Sequence, residues 1–555
     1  KTSNEATSEV RPVWARVSQE IWEFGDKFQC STSSMSHWRM NYFRCSPRSG
    51  FYAIIVCVSF TFVLTTYLYS GSRHDYVDTT KEDRNYNHQD LQQRQQRRQH
   101  VNLSLRHHGH HHGTERQGDR FGNTWNRHKN LHRRKEQQEE DWQQLSTPKM
   151  KQVFDVINLM SKSRSSNETS TLGNQKQILI RQVKLLRDAM TSQQTMLTKP
   201  PKLPECVGDI QPGEVEDLFC IPRPKFLSHI KNPCWYSSNS LDQADQSLHC
   251  LPYFHILGCA KSGTTDLWNR LMSHPHTVSN DGLLHKEALW WSWYRYGVTG
   301  YNRHKRVQNF TNYVSLFQDT ARQIQSSIEK ETLSHQILIT GDASPPDFWD
   351  FRGWSNISQN RHLDVPAVIT PHLMRHIYAN PKFIIMFRDP IDRLYSDYFF
   401  VGLGLTAQDF HNDIVASVDM LAKCVEQQGL HRCFHDHDMY VKLPVRLPYA
   451  CYSVFMREWL QVFPLENFLF LKTEEYEKNL EDTLKSVMEF LGLGPLKATQ
   501  LQVIAEEERS RVTVQRQIAG PMKNATRIIL EELLGACNTE LVKLIKSDKF
   551  LWSST

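Results

Sequence analysis

The run Leu257-Gly258-Cys259-Ala260-Lys261-Ser262-Gly263-Thr264-Thr265 holds the densest phosphate-binding chemistry in the chain. It follows an apolar stretch, Tyr253 to Leu257, with the character of a buried strand, and precedes a helix expected from Asp266 to Met272. A strand, a turn of small residues and a helix N-terminus make an anion site, because turn N–H groups and helix dipole point at one place. Gly263 permits close backbone approach, Ser262, Thr264 and Thr265 supply hydroxyls, and Lys261 supplies a mobile cation. This is not the ATP-binding loop of kinases. That motif places lysine directly after its second glycine, where this chain has Thr264.

Two further segments suit the same chemistry. Phe383 to Phe387 is a second apolar, strand-like run ending in Arg388-Asp389-Pro390, where Pro390 suits a helix start. Ser396 follows Arg388 by eight residues, about two helical turns, so both can face one anionic group. The third segment, His285-Lys286-Glu287-Ala288-Leu289-Trp290-Trp291, sets a carboxylate among cations and ahead of an aromatic pair. Glu287 is the first choice for a general base and His285 its rival. Trp290 and Trp291 suit either a sugar-stacking face or the core.

With these residues in this order, the chain resembles the PAPS-dependent carbohydrate sulfotransferases of the Golgi over residues 220–555. The resemblance implies a P-loop-like α/β fold, a central parallel sheet flanked by helices, and 3′-phosphoadenosine 5′-phosphosulfate (PAPS) as donor. It makes Lys261, Ser262, Gly263, Thr264 and Thr265 the 5′-phosphosulfate loop and Arg388 with Ser396 the 3′-phosphate site. Lys261 and Glu287 then become the catalytic pair, with no metal required. Flanks such as Asn232-Pro233-Cys234-Trp235-Tyr236 and Arg393-Leu394-Tyr395-Ser396-Asp397-Tyr398 are most similar to the branch acting on chondroitin or dermatan sulfate. That branch sulfonates the 6-hydroxyl of N-acetylgalactosamine 4-sulfate. A heparan sulfate O- or N-sulfotransferase and a non-catalytic lumenal glycan-binding relative are the alternatives. Ala260 stands where relatives often have proline, Ala288-Leu289 where they often have Pro-His, and Asp342-Ala343-Ser344-Pro345 lacks a lysine found in heparan relatives.

The rest of the chain is organised to match. Residues 51–70 form an uncharged, apolar run long enough to span a bilayer, with Arg39, Arg44 and Arg48 before it and Asp75, Asp78, Glu82 and Asp83 after it. The expected layout is a cytosolic tail (1–50), a signal anchor (51–70), a low-complexity stem (71–200) and a lumenal catalytic domain (201–555). That is the layout of a single-pass type II protein of the Golgi membrane. Sequons at Asn102, Asn167, Asn309, Asn356 and Asn524 all fall on the lumenal side. The stem is rich in Gln, Arg and His, and its run His107, His108, His110, His111, His112 offers metal ligands. Ile178 to Leu197 has helical spacing with Val183, Leu186 and Met190 on one face, for self-association into a homodimer or for docking on the catalytic domain.

A net charge of +6 over 555 residues calls for no nucleic-acid partner; a sulfated acceptor needs a local groove, for which Arg295, Arg303, Lys305, Arg306, Lys442 and Arg446 are candidates. Of twelve cysteines, nine follow the anchor, where an oxidising lumen allows disulfides. Cys234 with Cys250 and Cys424 with Cys433 are plausible pairs, and Cys451 is the expected free thiol. Strands are expected at Phe254–Leu257, Gln336–Thr340, Phe383–Phe387 and Phe468–Lys472.

Overall fold

The computed structural model describes residues 168–192, 202–208, 213–237, 247–299, 302–303, 306–507 and 513–552, all within the unit 114–555. The expected tail, anchor, sequons Asn102 and Asn167, and histidine tract lie outside the described residues. No helix among the described residues is long and apolar enough to cross a membrane.

Strands β1 (Cys234–Tyr236) and β2 (Leu248–Cys250) pair antiparallel, as do β5 (Val298–Thr299) and β6 (Asn302–Arg303). The main sheet contains β3 (Phe254–Gly258), β4 (Thr277–Val278), β7 (Ile339–Asp342), β8 (Lys382–Phe387) and β9 (Phe468–Lys472), in the order β4-β7-β3-β8-β9. All its ladders are parallel. The chain leaves β3 for one side of the sheet, returns to β7, then crosses to β8 and β9 on the other side. Such a reversal opens a crevice at the strands' carboxyl ends.

Strand alternation sends neighbouring side chains to opposite faces. Along β8, Phe383, Ile385 and Phe387 enter one core cluster while Ile384 and Met386 enter another. Each burial is worth roughly 2 kcal/mol. The first cluster is closed by the helices Thr370–Ile377, Tyr452–Val462 and Asn524–Ile545, the second by Thr264–Met272 and Leu480–Phe490. Helices therefore cover both faces, as a parallel sheet requires.

β7 begins later than the sequence suggests. Leu333–Gln336 is a 3₁₀ turn, and pairing starts at Ile339, where Thr277 provides a partner. Gly341 lies against the Phe254 ring; a Cβ there would stand 2.4 Å from a ring carbon. The shift brings Asp342 to the strand's carboxyl end.

Helix Glu168–Thr191 lies within the span read as stem, and its apolar face is buried. Val183, Leu186 and Met190 join the first core cluster, and Gln182 Nε2 donates to Asp419 Oδ1 at 2.6 Å. Arg187 pairs with Glu532. Of the two uses expected for this helix, docking is the one observed.

Among the described residues, four disulfides link Cys206–Cys220, Cys234–Cys250, Cys424–Cys433 and Cys451–Cys537. Cys451 is thus not the free thiol. Its partner lies 86 residues on, a contact that local spacing cannot show. Among the described residues the free cysteine is Cys259, buried beside the Lys261 loop, with its thiol pushed up to about 12 by burial.

Candidate active site

The loop after β3 reaches helix Thr264–Met272 through Gly263, its N-cap at φ 94°, two residues earlier than the expected start at Asp266. That left-handed angle suits glycine and points the first N–H groups of the helix outward. Lys261 also lies in the left-handed region, at φ 68°. Its Nζ sits 3.9 Å from the centroid of the exposed Phe400 ring. Ser262 is fully buried, and its Oγ has no hydrogen-bond partner among the described residues. The loop backbone is fastened by Thr473, whose hydroxyl lies 2.8 Å from the Ser262 carbonyl and 3.1 Å from that of Phe387.

Arg388 stands at the carboxyl end of β8, next in the sheet to β3. The helix after it, Pro390–Phe400, has Pro390 at its first position and Asp389 as N-cap, accepting from the Ile391 and Asp392 N–H groups. Arg388 Nη1 donates to the Lys261 carbonyl at 3.0 Å. Burial, and then the charge of Arg516, push the Arg388 pKa down. Ser396 is buried two turns into this helix, with its Oγ 3.5 Å from Thr513 Oγ1. Helix Val514–Ala519 follows Thr513 and brings Arg516 beside the Tyr395 ring, 5.9 Å from its centroid. Sequence reasoning missed Arg516, because only the return of a segment about 120 residues later places it there.

The third motif lies at the end of β7, on the other side of β3. Lys286 is 1 % exposed, and its Nζ donates to Glu287 Oε1 at 2.6 Å and to the Ala343 carbonyl at 2.8 Å. The Glu287 side chain is 19 % exposed, so it opens toward solvent while its partner is sealed. Asp342 accepts from the Ala288 N–H at 3.2 Å, the Ser344 hydroxyl at 2.6 Å and the Tyr313 hydroxyl at 3.2 Å. Its carboxyl is pushed up to about 6, chiefly by burial. The segment after β7 meets the end of β3, just ahead of the Lys261 loop: a Cβ on Gly258 would lie 3.0 Å from Phe348 Cβ and 3.4 Å from the Pro345 carbonyl. His285 is exposed, at φ 52°. Among the described residues, four of the seven non-glycine residues with positive φ are Lys261, Leu284, His285 and Leu289. Backbone strain is therefore concentrated on the two segments that bear Lys261 and Glu287.

Other expectations change. Trp290 and Trp291 are buried; Trp290 stacks on Tyr313 with centroids 4.9 Å apart and donates from Nε1 to the Gln308 and Asn309 carbonyls. They are core, not a sugar platform. Arg295 is buried against Trp290 and bonds the Glu216 carbonyl, and Arg446 is buried on Asp397, so neither lines a groove. Lys442 is exposed and paired with Asp438 at 3.2 Å. Lys305 and the Arg303 side chain lie outside the described residues.

A doubly phosphorylated nucleotide fits what is present. Ser262 offers a buried hydroxyl without a partner among the described residues, Gly263 opens a helix N-terminus, and Arg388 and Arg516 stand close enough for like charges to repel. An anion between two guanidinium groups relieves that repulsion.

Comparison with known proteins agrees. A sulfotransferase domain model matches residues 252–528. Carbohydrate sulfotransferase 15 of Mus musculus is 30% identical over 418 residues, which cover 67% of this chain and 73% of the relative. The Homo sapiens protein of the same name is 29% identical over 417 residues, with the same coverage. A solved sulfotransferase from Alicyclobacillus acidocaldarius, 18% identical, covers 54% of this chain and 97% of its own at a TM-score of 0.33, so the fold statement rests on strand order instead. The chain belongs to the sulfotransferase family. It is a carbohydrate sulfotransferase with PAPS as its donor.

Proposed function

We propose that this enzyme sulfonates the 6-hydroxyl of N-acetylgalactosamine 4-sulfate in chondroitin or dermatan sulfate. The donor supplies an activated sulfonate whose leaving group is a phosphate oxygen. The Lys261–Thr265 loop holds the 5′ end of the donor, and Arg388 with Ser396, joined by Arg516, holds the 3′-phosphate. Lys261 stabilises negative charge as it develops on the departing oxygen. Glu287 takes the proton from the acceptor hydroxyl, which attacks in line. The sulfonate is less charged than a phosphoryl group, so the reaction asks for no metal.

The observation that supports this reading most is the placement of Lys261 and Glu287 beyond the carboxyl ends of adjacent strands, with Gly258 against Pro345 and Phe348 between them. Glu287 is preferred to His285 because Lys286 orients its carboxylate while His285 projects into solvent. The relatives named carbohydrate sulfotransferase 15 support a carbohydrate acceptor. Four disulfides suit an oxidising lumen, and with residues 51–70 as anchor the enzyme would work at the Golgi membrane.

The test is incubation of the full chain with labelled donor and chondroitin 4-sulfate, dermatan sulfate or heparan sulfate, followed by disaccharide analysis. Label is expected in a 4,6-disulfated N-acetylgalactosamine unit. Label on heparan glucosamine would overturn the acceptor while leaving the reaction class intact.

A further inference from the structure

Remote from the donor loop in sequence, two imidazoles converge on one carboxylate oxygen. His431 Nε2 lies 3.0 Å from Glu458 Oε1, and His435 Nε2 lies 2.7 Å from the same atom. The histidines stand four residues apart across the end of the short helix Leu430–Phe434, and Glu458 comes from helix Tyr452–Val462. One ligand atom from each of the three falls within 4.8 Å of the others.

Three features set this apart from a surface ion pair. Glu458 and His435 are both more than nine-tenths buried, and Glu458 Oε2 and His435 Nδ1 have no hydrogen-bond partner among the described residues. One carboxylate oxygen is thus crowded by two ring nitrogens while the other is bare, an arrangement that hydrogen bonding alone leaves incomplete. The backbone is also fixed in advance: Cys433, between the two histidines, is bonded to Cys424, and Trp354 Nε1 donates to the His435 carbonyl at 3.1 Å. Finally, the walls are aromatic. Phe351 and Phe455 stand 5.6 Å and 5.9 Å from the His435 ring, while the His431 side chain is 32 % exposed and opens one side to water.

We propose that His431, His435 and Glu458 bind a zinc-like divalent cation, with water in the fourth position. Two imidazole nitrogens and a carboxylate oxygen are a ligand set that zinc accepts. At Zn–N distances of about 2.0–2.1 Å, the edges of a tetrahedron are about 3.3 Å, so the two edges from the histidines to Glu458 Oε1, at 3.0 Å and 2.7 Å, need to open by roughly half an ångström. The cation would tie the Leu430–Phe434 turn to a helix that touches the donor site, since Tyr452 donates to the Arg388 carbonyl and Trp459 to that of Phe348. It takes no part in sulfonate transfer.

The test uses the full chain without an affinity tag of histidines, in a background where His107, His108, His110, His111 and His112 are replaced by serine. Zn²⁺ is titrated calorimetrically into chelator-treated protein, and bound metal is counted by mass spectrometry. One zinc per chain is expected. His431→Ala and Glu458→Gln should each weaken binding at least about tenfold. His431→Ala is the decisive variant because its side chain is partly exposed; its circular dichroism and its affinity for adenosine 3′,5′-bisphosphate should match the parent's. Absence of bound zinc in the parent background, or equal binding in folded His431→Ala, would overturn the proposal.

Discussion

Arg388 reaches back across the sheet to Lys261: its Nη1 donates to the Lys261 carbonyl at 3.0 Å. The residues proposed for opposite ends of the donor are therefore one mechanical unit. Tyr452 completes it by donating to the carbonyl of Arg388 at 3.0 Å. Arg388→Ala should lower the affinity for adenosine 3′,5′-bisphosphate roughly 10- to 100-fold, the usual value of a bond to a charged group. It should also reduce kcat, since the Lys261 backbone loses a tether. Calorimetry and steady-state kinetics measure the two effects, and unchanged affinity would refute the 3′-phosphate role.

Thr473 offers a test of the loop's support that leaves the proposed chemistry alone. Its hydroxyl joins the Ser262 carbonyl to that of Phe387. Thr473→Val keeps the shape but strands buried carbonyls, at a cost of about 1–3 kcal/mol. A lower Tm and weaker bisphosphate binding are expected together. A lower Tm with unaltered binding would show that the loop does not depend on this bond.

The Cys451–Cys537 disulfide closes a loop of 86 residues, so its removal should be costly. Cys451→Ser with Cys537→Ser should lose about 2–5 kcal/mol, read as a fall in the denaturant midpoint. A midpoint equal to wild type would mean that the bond contributes no net stability.

Asp342 gives a pH signature. Its folded pKa of about 6 exceeds the ordinary 3.8, so the fold favours the protonated form. The stability this contributes is complete below about pH 3.8 and is lost as pH rises through 6. Wild-type stability minus that of Asp342→Asn should therefore fall between about pH 4 and pH 6, by an amount on the order of a few kcal/mol, and level off above. Denaturant titrations across this range check it; a difference independent of pH would contradict the assignment.

What could be read from the sequence was local. The motifs proposed for the site, Lys261–Thr265, Arg388 with Ser396, and Lys286-Glu287, each span no more than a dozen residues, and apolar runs located four of the five main strands to within a few residues. The errors are those of long range. Arg295 and Arg446 read as surface cations, but Glu216 and Asp397 bury them. Cys451 read as alone because its partner is far away in sequence. β7 was displaced because pairing, not the apolar run around Leu338, decides where a strand begins. Thr473 lies in a run, Leu469 to Tyr476, that shares in the resemblance, but its bond to the loop is not legible there, and Arg516 gave no local signal; the fold alone brings them to the loop and to Arg388.

The central claim, that Lys261 and Glu287 serve one transfer, is tested most directly by a single-turnover measurement. Donor is bound first to wild type and to Glu287→Gln, chondroitin 4-sulfate is added, and labelled product is followed by rapid quench. The substitution keeps size and hydrogen bonding but cannot accept the proton, so donor binding should survive while the transfer rate drops about 10²-fold or more. A rate within a few-fold of wild type, with transfer abolished instead by His285→Ala, would contradict the account and pass the role to the histidine.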